Sequence, residues 1–553
     1  MGKKSKRSRP KTDTATNDVA PSSVAPSLRP PTKEEEETLE NLKFQDPFED
    51  TFVDEEEEEE VIIHNDSDDD DDDDEHHHNE GQFLEEKTDG TQENSKVQAW
   101  TPSQGLQPGQ TLEMDPKAYT MHHALTPEWP ALSFDFIRDT YGDARTRFPH
   151  TLLAVVGTQA SKREWNKVQV LKMTDLGRTY KPKKKKREDE EMEDENDEDS
   201  DEEMEEDSDG DNEDDSDEEE IDHDPILEHV ALNHNGGVNR VRVMPNVSNT
   251  GGTLTEGFLQ KKQVVATWSD AGHVNLYDVA SCLDYLERSS GNFNRASNST
   301  GAPSGESYSK KPFFTYRGHP TEGYAMDWSK TSLGNLVTGD CAGQVHLWTP
   351  TESNFSVTCG YHNKNNASVE DVQWSPTEKS VLATAECNGC IQIYDTRRLG
   401  KSMISTMAHP GTDVNVIGWN SLVTNLLASG GDDGTFAVWD LRTFGSTTKK
   451  PEPLARFTYS QKPITSVEWH PTDESMILVT DEDSTYVYDL SIEADPEQEA
   501  ANKEGEGGDV PPQLLFLHCG SESTKEAHWH PQIPSLVMTT ALSGFSVFIP
   551  SNL

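Results

Sequence analysis

The chain is poor in cysteine: six thiols in 553 residues, at positions 282, 341, 359, 387, 390 and 519. No signal-peptide pattern opens the sequence, so these read as reduced thiols of an intracellular protein, not as a disulfide framework. Cys387 and Cys390 form a lone Cys-x-x-Cys. Zinc sites of that spacing use a second pair, so no metal is expected. No apolar run reaches the roughly 18 residues that a membrane helix requires. Signatures of catalysis are missing as well. There is no Gly-x-Ser-x-Gly elbow, no His-Glu-x-x-His pair and no Gly-x-x-x-x-Gly-Lys phosphate loop. The expectation is a non-enzymatic protein without cofactor.

Basic residues are the scarce charges, 48 Lys and Arg against 103 Asp and Glu, for a formal net charge of −55. The excess is local. Residues 34–75 hold 24 acids and one lysine, net −23, and residues 188–224 hold 27 acids and no Lys or Arg, net −27; the rest of the chain carries −5. The glutamates of 55–60 and the aspartates of 68–74 repel one another and offer nothing apolar to bury, so these runs are expected to be disordered. Such tracts argue against direct nucleic-acid binding and for a basic partner.

What the chain has in plenty is a repeat. In residues 409–442, two alternating runs, VNVIGWN and FAVWD, flank LLASG and an Asp-Gly turn at 433–434. A meander this short cannot bury a core unless copies pack beside it. Strand-ending aromatics recur at Tyr277, Trp348, Tyr394, Trp439, Tyr488 and Phe548, with gaps of 71, 46, 45, 49 and 60 residues. The short gaps match four-stranded propeller blades, and LLAVVGTQ with NKVQVLKM at 152–173 supplies a seventh unit. An early histidine recurs at His234, His319, His362, His409 and His518, and a tryptophan at Trp328, Trp374, Trp419, Trp469 and Trp529. These residues read as structural. Only His409, Ser429, Asp433 and Trp439 form the full hydrogen-bonding set of a WD-repeat blade. Elsewhere Ala271, Ala342 or Asn388 holds the turn position, which leaves the networks incomplete.

The fold expected is all-β, a seven-bladed propeller over 114–553, after a basic, then acidic, disordered tail over 1–113. The acidic insertion 181–224 leaves between the first and second blades, and 288–311 is a flexible loop in the second-to-third blade connection. Two basic clusters, 2–11 and 181–187, read as nuclear-import signals, the second through Lys183, Lys184, Lys185, Lys186 and Arg187. Phe44, Phe48 and Phe52 lie four apart beside Glu55, Glu56 and Glu57, a candidate acidic–aromatic anchor for a basic client. Ser67, Ser200, Ser208 and Ser216 are followed by acids and suit an acid-directed kinase.

Residues 115–137, which include MHHALTPEWPALSFDF, open helix-like until Pro127 and Pro130, and ALSFDF alternates as a strand. This segment resembles that of the histone-binding WD-repeat proteins, where a helix lies beside the propeller and a strand then closes the ring. DVPPQLLFLH at 509–518 is similar to the proline-containing loop of that family. The resemblance implies a side groove for a basic helix, here near Glu128, Trp129, Pro511, Pro512, Leu515 and Phe516. The last repeat, LSGFSVFIPSNL, lacks the usual turn Asp and Trp, and its outer strand is expected from residues near 131–137.

The two long acidic tracts resemble those of the glutamate-rich branch of WD-repeat proteins, ribosome-assembly factors that chaperone large-subunit ribosomal protein L-three. The resemblance implies a monomeric chaperone of a basic ribosomal protein, working with the pre-ribosomal assembly machinery in nucleus and nucleolus and shuttling from the cytoplasm. Two alternatives stand beside it. One is a chaperone of core histones. The other is a substrate receptor of a cullin-RING ubiquitin ligase, for which Arg442 in Trp-Asp-Leu-Arg and Arg397 in Tyr-Asp-Thr-Arg would contact the adaptor.

Overall fold

The computed structural model describes residues 112, 114–180, 224–245, 259, 262–290, 309–362, 366–398, 400–444, 451–493 and 510–553. The tail over 1–111, both basic clusters and the acidic tract up to residue 223 lie outside them.

The chain forms strand β1 (Tyr119–Leu125) and then passes Pro127 and Pro130. The first blade comprises β2 (Ala131–Ile137), β3 (His150–Thr158), β4 (Lys167–Leu176) and β5 (Ile226–Asn233). The second holds β6 (Val238–Val243), β7 (Val264–Ser269), β8 (His273–Asp278) and β9 (Phe314–Tyr316), with helix α1 (Ala280–Ser290) between its last two strands. The third is β10 (Ala325–Trp328), β11 (Leu336–Gly339), β12 (Gln344–Pro350) and β13 (Phe355–His362). The fourth is β14 (Val369–Trp374), β15 (Val381–Glu386), β16 (Cys390–Asp395) and β17 (Ile404–Met407). The fifth is β18 (Val414–Trp419), β19 (Leu426–Gly431), β20 (Phe436–Asp440) and β21 (Ala455–Phe457). The sixth is β22 (Ile464–Trp469), β23 (Met476–Asp481), β24 (Ser484–Asp489) and β25 (Leu514–Cys519). The seventh has β26 (Glu526–Trp529), β27 (Val537–Ala541) and β28 (Gly544–Pro550), and takes β1 as its outer strand. The fold is thus the expected seven-bladed propeller.

Two expectations about ring closure are corrected. The strand that completes the seventh blade is Tyr119–Leu125, paired Leu125 to Phe545 through Tyr119 to Pro550, and not the segment near 131–137. The latter is the inner strand of the first blade, buried on both faces at Ser133, Phe134, Phe136 and Ile137, an environment no outer strand offers. Residues 116–118 make one 3-10 turn, capped by Asp115, and 119–125 are extended, so the helix-like reading of this stretch is replaced by a turn and a strand. Tyr119 and Met121 point inward at spacing two, a strand period.

Each recurring aromatic ends the third strand of a sheet, and each recurring tryptophan ends the inner strand. The outer strand belongs to the following sequence repeat, so repeat and blade are offset by one strand. The insertions are therefore inside blades. Residues 177–225 join β4 to β5, 279–313 join β8 to β9, 441–454 join β20 to β21, and 490–513 join β24 to β25. The loop expected from residue 288 begins later, because α1 continues through Ser290. Cys282 and Leu286 of this helix pack against the first and second blades. All four insertions are third-to-outer connections, so all leave from one face, the lower one. The inner strands begin on the opposite, upper face, together with the turns between second and third strands.

Clusters of Val, Leu, Ile and aromatic side chains fill the spaces between consecutive blades. A Cβ on Gly157, Gly339 or Gly430 would overlap Val238, Val369 or Ile464, the first inner-strand side chain of the next blade. Along the channel, each inner strand is a sheet edge with unpaired amides. Side chains of the neighbouring blade accept them. Ser133 Oγ takes Val241 N–H at 2.9 Å and Asp135 Oδ2 takes Val243 N–H at 2.7 Å. Asp327 takes Trp374, Asp371 takes Ile417, Gln373 takes Trp419, Glu468 takes Trp529 and Glu526 takes Phe134.

The histidine networks are more complete than the turn positions indicated. In the third blade His319 Nδ1 lies 2.7 Å from Asp340 Oδ2 and Nε2 lies 2.8 Å from Thr338 Oγ1, which also accepts Trp348 Nε1–H at 2.9 Å. The acid has moved two residues upstream, to the end of the second strand. Glu386 and Asp481 occupy the same place in the fourth and sixth blades and bind Gln392 and Tyr486. In the fifth blade that place is Gly431. A Cβ there would lie 2.5 Å from His409 Nδ1, so glycine leaves the room in which His409 and Asp433 face one another.

Candidate functional site

A row of acids is built where consecutive blades start. Glu322 precedes β10, Glu370 is the second residue of β14, Asp413 precedes β18, and Asp432 follows β19 in a turn of the same upper face. Burial and the neighbouring Asp413 raise the Glu370 carboxyl against the opposing Ser368 hydrogen bond and Arg240 charge; burial and then Asp432 raise that of Asp413. Burial followed by Glu322 pushes the Tyr324 phenol up to about 12. Asn239 Nδ2 donates to Glu322 at 2.9 Å, and Asn415 Nδ2 donates to Asp432. These neutral partners orient Glu322 and Asp432 without neutralising them. Carboxylates raised by neighbouring acids, as Glu370 and Asp413 are, gain from a cation laid across them.

The cations nearest this row are committed below it. Arg240 and Arg242 both reach Glu526 Oε1, at 2.8 and 2.7 Å. Glu526 is enclosed, and although burial opposes its charge, Arg242, His528 and Arg240 hold its carboxyl well below the usual range. His528, between Glu468 and Glu526, overcomes its own burial and rises to about 10, so it is an imidazolium. This cluster has the residue types of an acid–base site. Its main carboxylate oxygens, however, are occupied by backbone amides and by guanidinium groups, and it serves as the hub of the ring.

A second feature of the upper face joins the acids. Trp129 lies against Trp165 with ring centroids 5.7 Å apart, and Lys162 Nζ sits 4.2 Å over the Trp165 ring. Trp165 is 42% exposed, and Glu128 and Glu164 beside the pair are exposed. Indole faces flanked by carboxylates attract guanidinium and ammonium groups.

The structure separates the groove residues expected from the sequence. Phe516 packs edge-on against Tyr119 at the lower end of β1, and Tyr119 Oη lies 2.8 Å from His518 Nδ1. Pro511 and Pro512 lead into β25 at that same end, and Leu515 O accepts from Asn552. Glu128 and Trp129 follow the opposite end, a strand of seven residues and about 20 Å away. Phe44, Phe48, Phe52, Glu55, Glu56, Glu57, Lys183, Lys184, Lys185, Lys186 and Arg187 lie outside the described residues. Arg397 and Arg442 occupy matched positions on the lower face. Each clamps the aspartate two residues before it, Asp395 or Asp440, through Nε and Nη2, and each is over 70% exposed, at 73% and 72%. The Arg397 guanidinium lowers Asp395 to about 2.

The upper acidic row is missed by reading the sequence alone. Its members are scattered acids, Asp413 and Asp432 in one repeat and Glu322 and Glu370 in two others, and only the fold brings them to one face. The signal was available: each lies within three residues of the start of an inner strand, or directly after a second strand.

Comparison with known proteins agrees with this architecture. Residues 109–176 match the family model of histone-binding protein RBBP4 and its counterpart in the CAF1 complex, and residues 401–440 match the WD domain, G-beta repeat. The chain is 35% identical to ribosome assembly protein rrb1 of Schizosaccharomyces pombe, over 84% of this chain and 87% of that protein. It is 38% identical to protein HEAT STRESS TOLERANT DWD 1 of Arabidopsis thaliana, over 83% and 92%. It is 37% identical to glutamate-rich WD repeat-containing protein 1 of Dictyostelium discoideum, over 81% and 83%.

Proposed function

The chain belongs to the family of ribosome assembly protein rrb1 and glutamate-rich WD repeat-containing protein 1, and from that membership we propose that it is a non-enzymatic chaperone of a newly made basic ribosomal protein of the L-three type. It shields this client for large-subunit assembly and delivers it to the pre-ribosomal machinery in the nucleus and nucleolus. The observation that carries the proposal is the row Glu322, Glu370, Asp413 and Asp432 on one face; burial and neighbouring acids raise the Glu370 and Asp413 carboxyls, and a cationic partner relieves that cost. The tracts at 34–75 and 188–224 add −50 of charge in segments outside the described residues. An extended basic arm binds RNA without discrimination at low salt. A shaped acidic face masks it, and a many-phosphate RNA site then competes the arm away.

Purification of the endogenous protein at moderate salt tests this reading. A stoichiometric L-three-type ribosomal protein is expected, with loss of large ribosomal subunits on depletion before any change in chromatin. Core histones in stoichiometric amount, without that ribosomal protein, would replace this reading by a histone-chaperone one, for which the family match over 109–176 speaks. A role as receptor for a cullin-RING ligase has one observation in its favour, the identical outward presentation of Arg397 and Arg442.

A further inference from the structure

Two connections of the upper face, residues 126–130 between β1 and β2 and residues 159–166 between β3 and β4, are tied together by Gln159 N–H, which donates to Pro130 O at 2.8 Å. Each carries one indole, and Trp129 and Trp165 meet there. The second connection is fixed from within. Asn166, 1% exposed, takes Ala160 N–H at 2.6 Å on Oδ1 and donates from Nδ2 to the carbonyls of Lys162 and Arg163 at 3.3 and 3.4 Å. Trp165 N–H closes a 3-10 turn on Lys162 O. The backbone is thereby pinned, while residues 162–165 are all exposed. Lys162 contributes no side-chain hydrogen bond to the turn. Its ammonium lies 4.2 Å over the Trp165 ring and makes no ion pair among the described residues. The same holds for Glu128 and Glu164, each next in sequence to one of the indoles.

We propose that the Trp165 face under Lys162 is a receptor for an arginine side chain of a basic client, and that Lys162 is a resident competitor which this arginine displaces. The inference rests on the reading of the upper face as a surface for cations, but not on which basic protein supplies the arginine. Arginine fits better than lysine for a physical reason. A guanidinium stacks flat on an indole and still directs N–H groups from its edge to carboxylates. An ammonium is a compact point charge that holds its water more strongly. Lys162 displays that limit: it covers the ring and leaves Glu128 and Glu164 unpaired among the described residues. In the exchange its ammonium returns to water from an exposed ring, and the arriving guanidinium gains both the indole and the acids. The indole opens on the same face as the row Glu322, Glu370, Asp413 and Asp432, so separate arginines of one extended arm reach both.

The test uses the full chain labelled with 5-fluorotryptophan. Among the eleven tryptophans, the fluorine resonance of Trp165 is assigned by its loss in Trp165→Phe. Titration with an octa-arginine peptide should shift that resonance, and octa-lysine should need about threefold more peptide for the same shift. Every variant carries the same acidic tracts, so ratios of midpoints report the indole face. Lys162→Ala should lower the octa-arginine midpoint about threefold. It should leave the thermal transition in place, because Lys162 holds the turn through its carbonyl alone. Glu128→Gln with Glu164→Gln should abolish the preference for arginine. A resonance that ignores the peptide, or a midpoint that Lys162→Ala leaves unchanged or raises, overturns the proposal, as does an equal response to octa-lysine in the parent. The client complex purified from cells is a separate measurement: a complex that forms normally while the Trp165 resonance stays silent removes this inference and leaves the broader reading standing.

Discussion

Asp340 Oδ2 and His319 Nδ1 lie 2.7 Å apart with both side chains fully enclosed, whereas the matching pair of the fifth blade, Asp433 and His409, is 3.4 Å apart and its aspartate is 36% exposed. Thr435 Oγ1 sits between that second pair, 2.8 Å from Asp433 Oδ1 and 3.2 Å from His409 Nδ1. Asp340→Ala should therefore cost about 3 kcal/mol, because it strands a buried partner. Asp433→Ala should cost no more than about 1 kcal/mol, since Thr435 remains. Urea unfolding of the two variants checks the order; equal losses would show that the third-blade network has no special weight.

Asp327 supplies a pH test. Burial first, relieved only partly by Lys330, the Trp374 amide and Arg242, raises its carboxyl to about 7. A carboxyl raised on folding binds more protons in the folded state, so stability is lost as pH climbs from its unfolded value near 4 through 7. Asp327→Asn keeps an oxygen for Trp374 N–H and removes the buried charge. At pH 8 it should exceed the parent by about 1–2 kcal/mol, and at pH 4 match it, as read from urea midpoints at each pH. Destabilisation at both values would mean that the charge itself is needed by Arg242.

His528 acts in the opposite sense. Glu468 and Glu526 outweigh its burial and raise it to about 10. Its contribution is complete below about 6.5 and is lost as pH rises through 10. His528→Gln should therefore flatten the alkaline loss of stability between pH 7 and 10, and an unchanged alkaline slope would contradict the pairing.

Ring closure predicts a sharp boundary for truncation. Residues 114–553, with 181–222 replaced by a short Gly-Ser link, should stay soluble and melt cooperatively, since the tracts are composed almost wholly of acids with few apolar side chains to bury. A chain starting at 127 loses β1, exposes the edge of β28 and uncovers Phe548, which Tyr119 contacts edge-on. It should be insoluble or melt without cooperativity, and a cooperative transition in this shorter chain would refute the closure.

Removing 188–224 should weaken client binding mainly below ~0.15 M salt, where charges are least screened. A loss of equal size at every ionic strength would sink the electrostatic role. Arg397→Ala with Arg442→Ala alters only exposed clamps and should leave the thermal transition unchanged, yet release a cullin adaptor if the ligase reading holds. Absence of any adaptor on the parent protein removes that reading.

The blade count, the strand-ending aromatics and the innermost tryptophans were legible because each repeats at a fixed offset from a local pattern. What stayed hidden was non-local. Asp340, Glu386 and Asp481 replace the turn aspartate from two residues upstream, and only the fold shows which residue meets each one, His319, Gln392 and Tyr486 respectively. Asp135 and Asp327 look like the polar residues of alternating strands, but their partners are amides of the next blade. The segment 119–125 reads as helical because MHHAL favours a helix locally; pairing with β28 overrides that preference. Of the expected groove, only the Phe516 side is assembled against β1, since strand geometry carries Glu128 and Trp129 to the other face.

The pairing of β1 with β28 also sets a clock. His122 Nε2 meets Ser546 Oγ across 424 positions of sequence. At translation rates of about 5–20 residues per second, β1 waits some 20–80 s before its partner strand is made. During that interval each finished blade can stack on the one before it, but the first and last ends stay apart, and an unpaired strand edge trails behind the ribosome. Birth, for this propeller, is an open arc that becomes a ring in its final step.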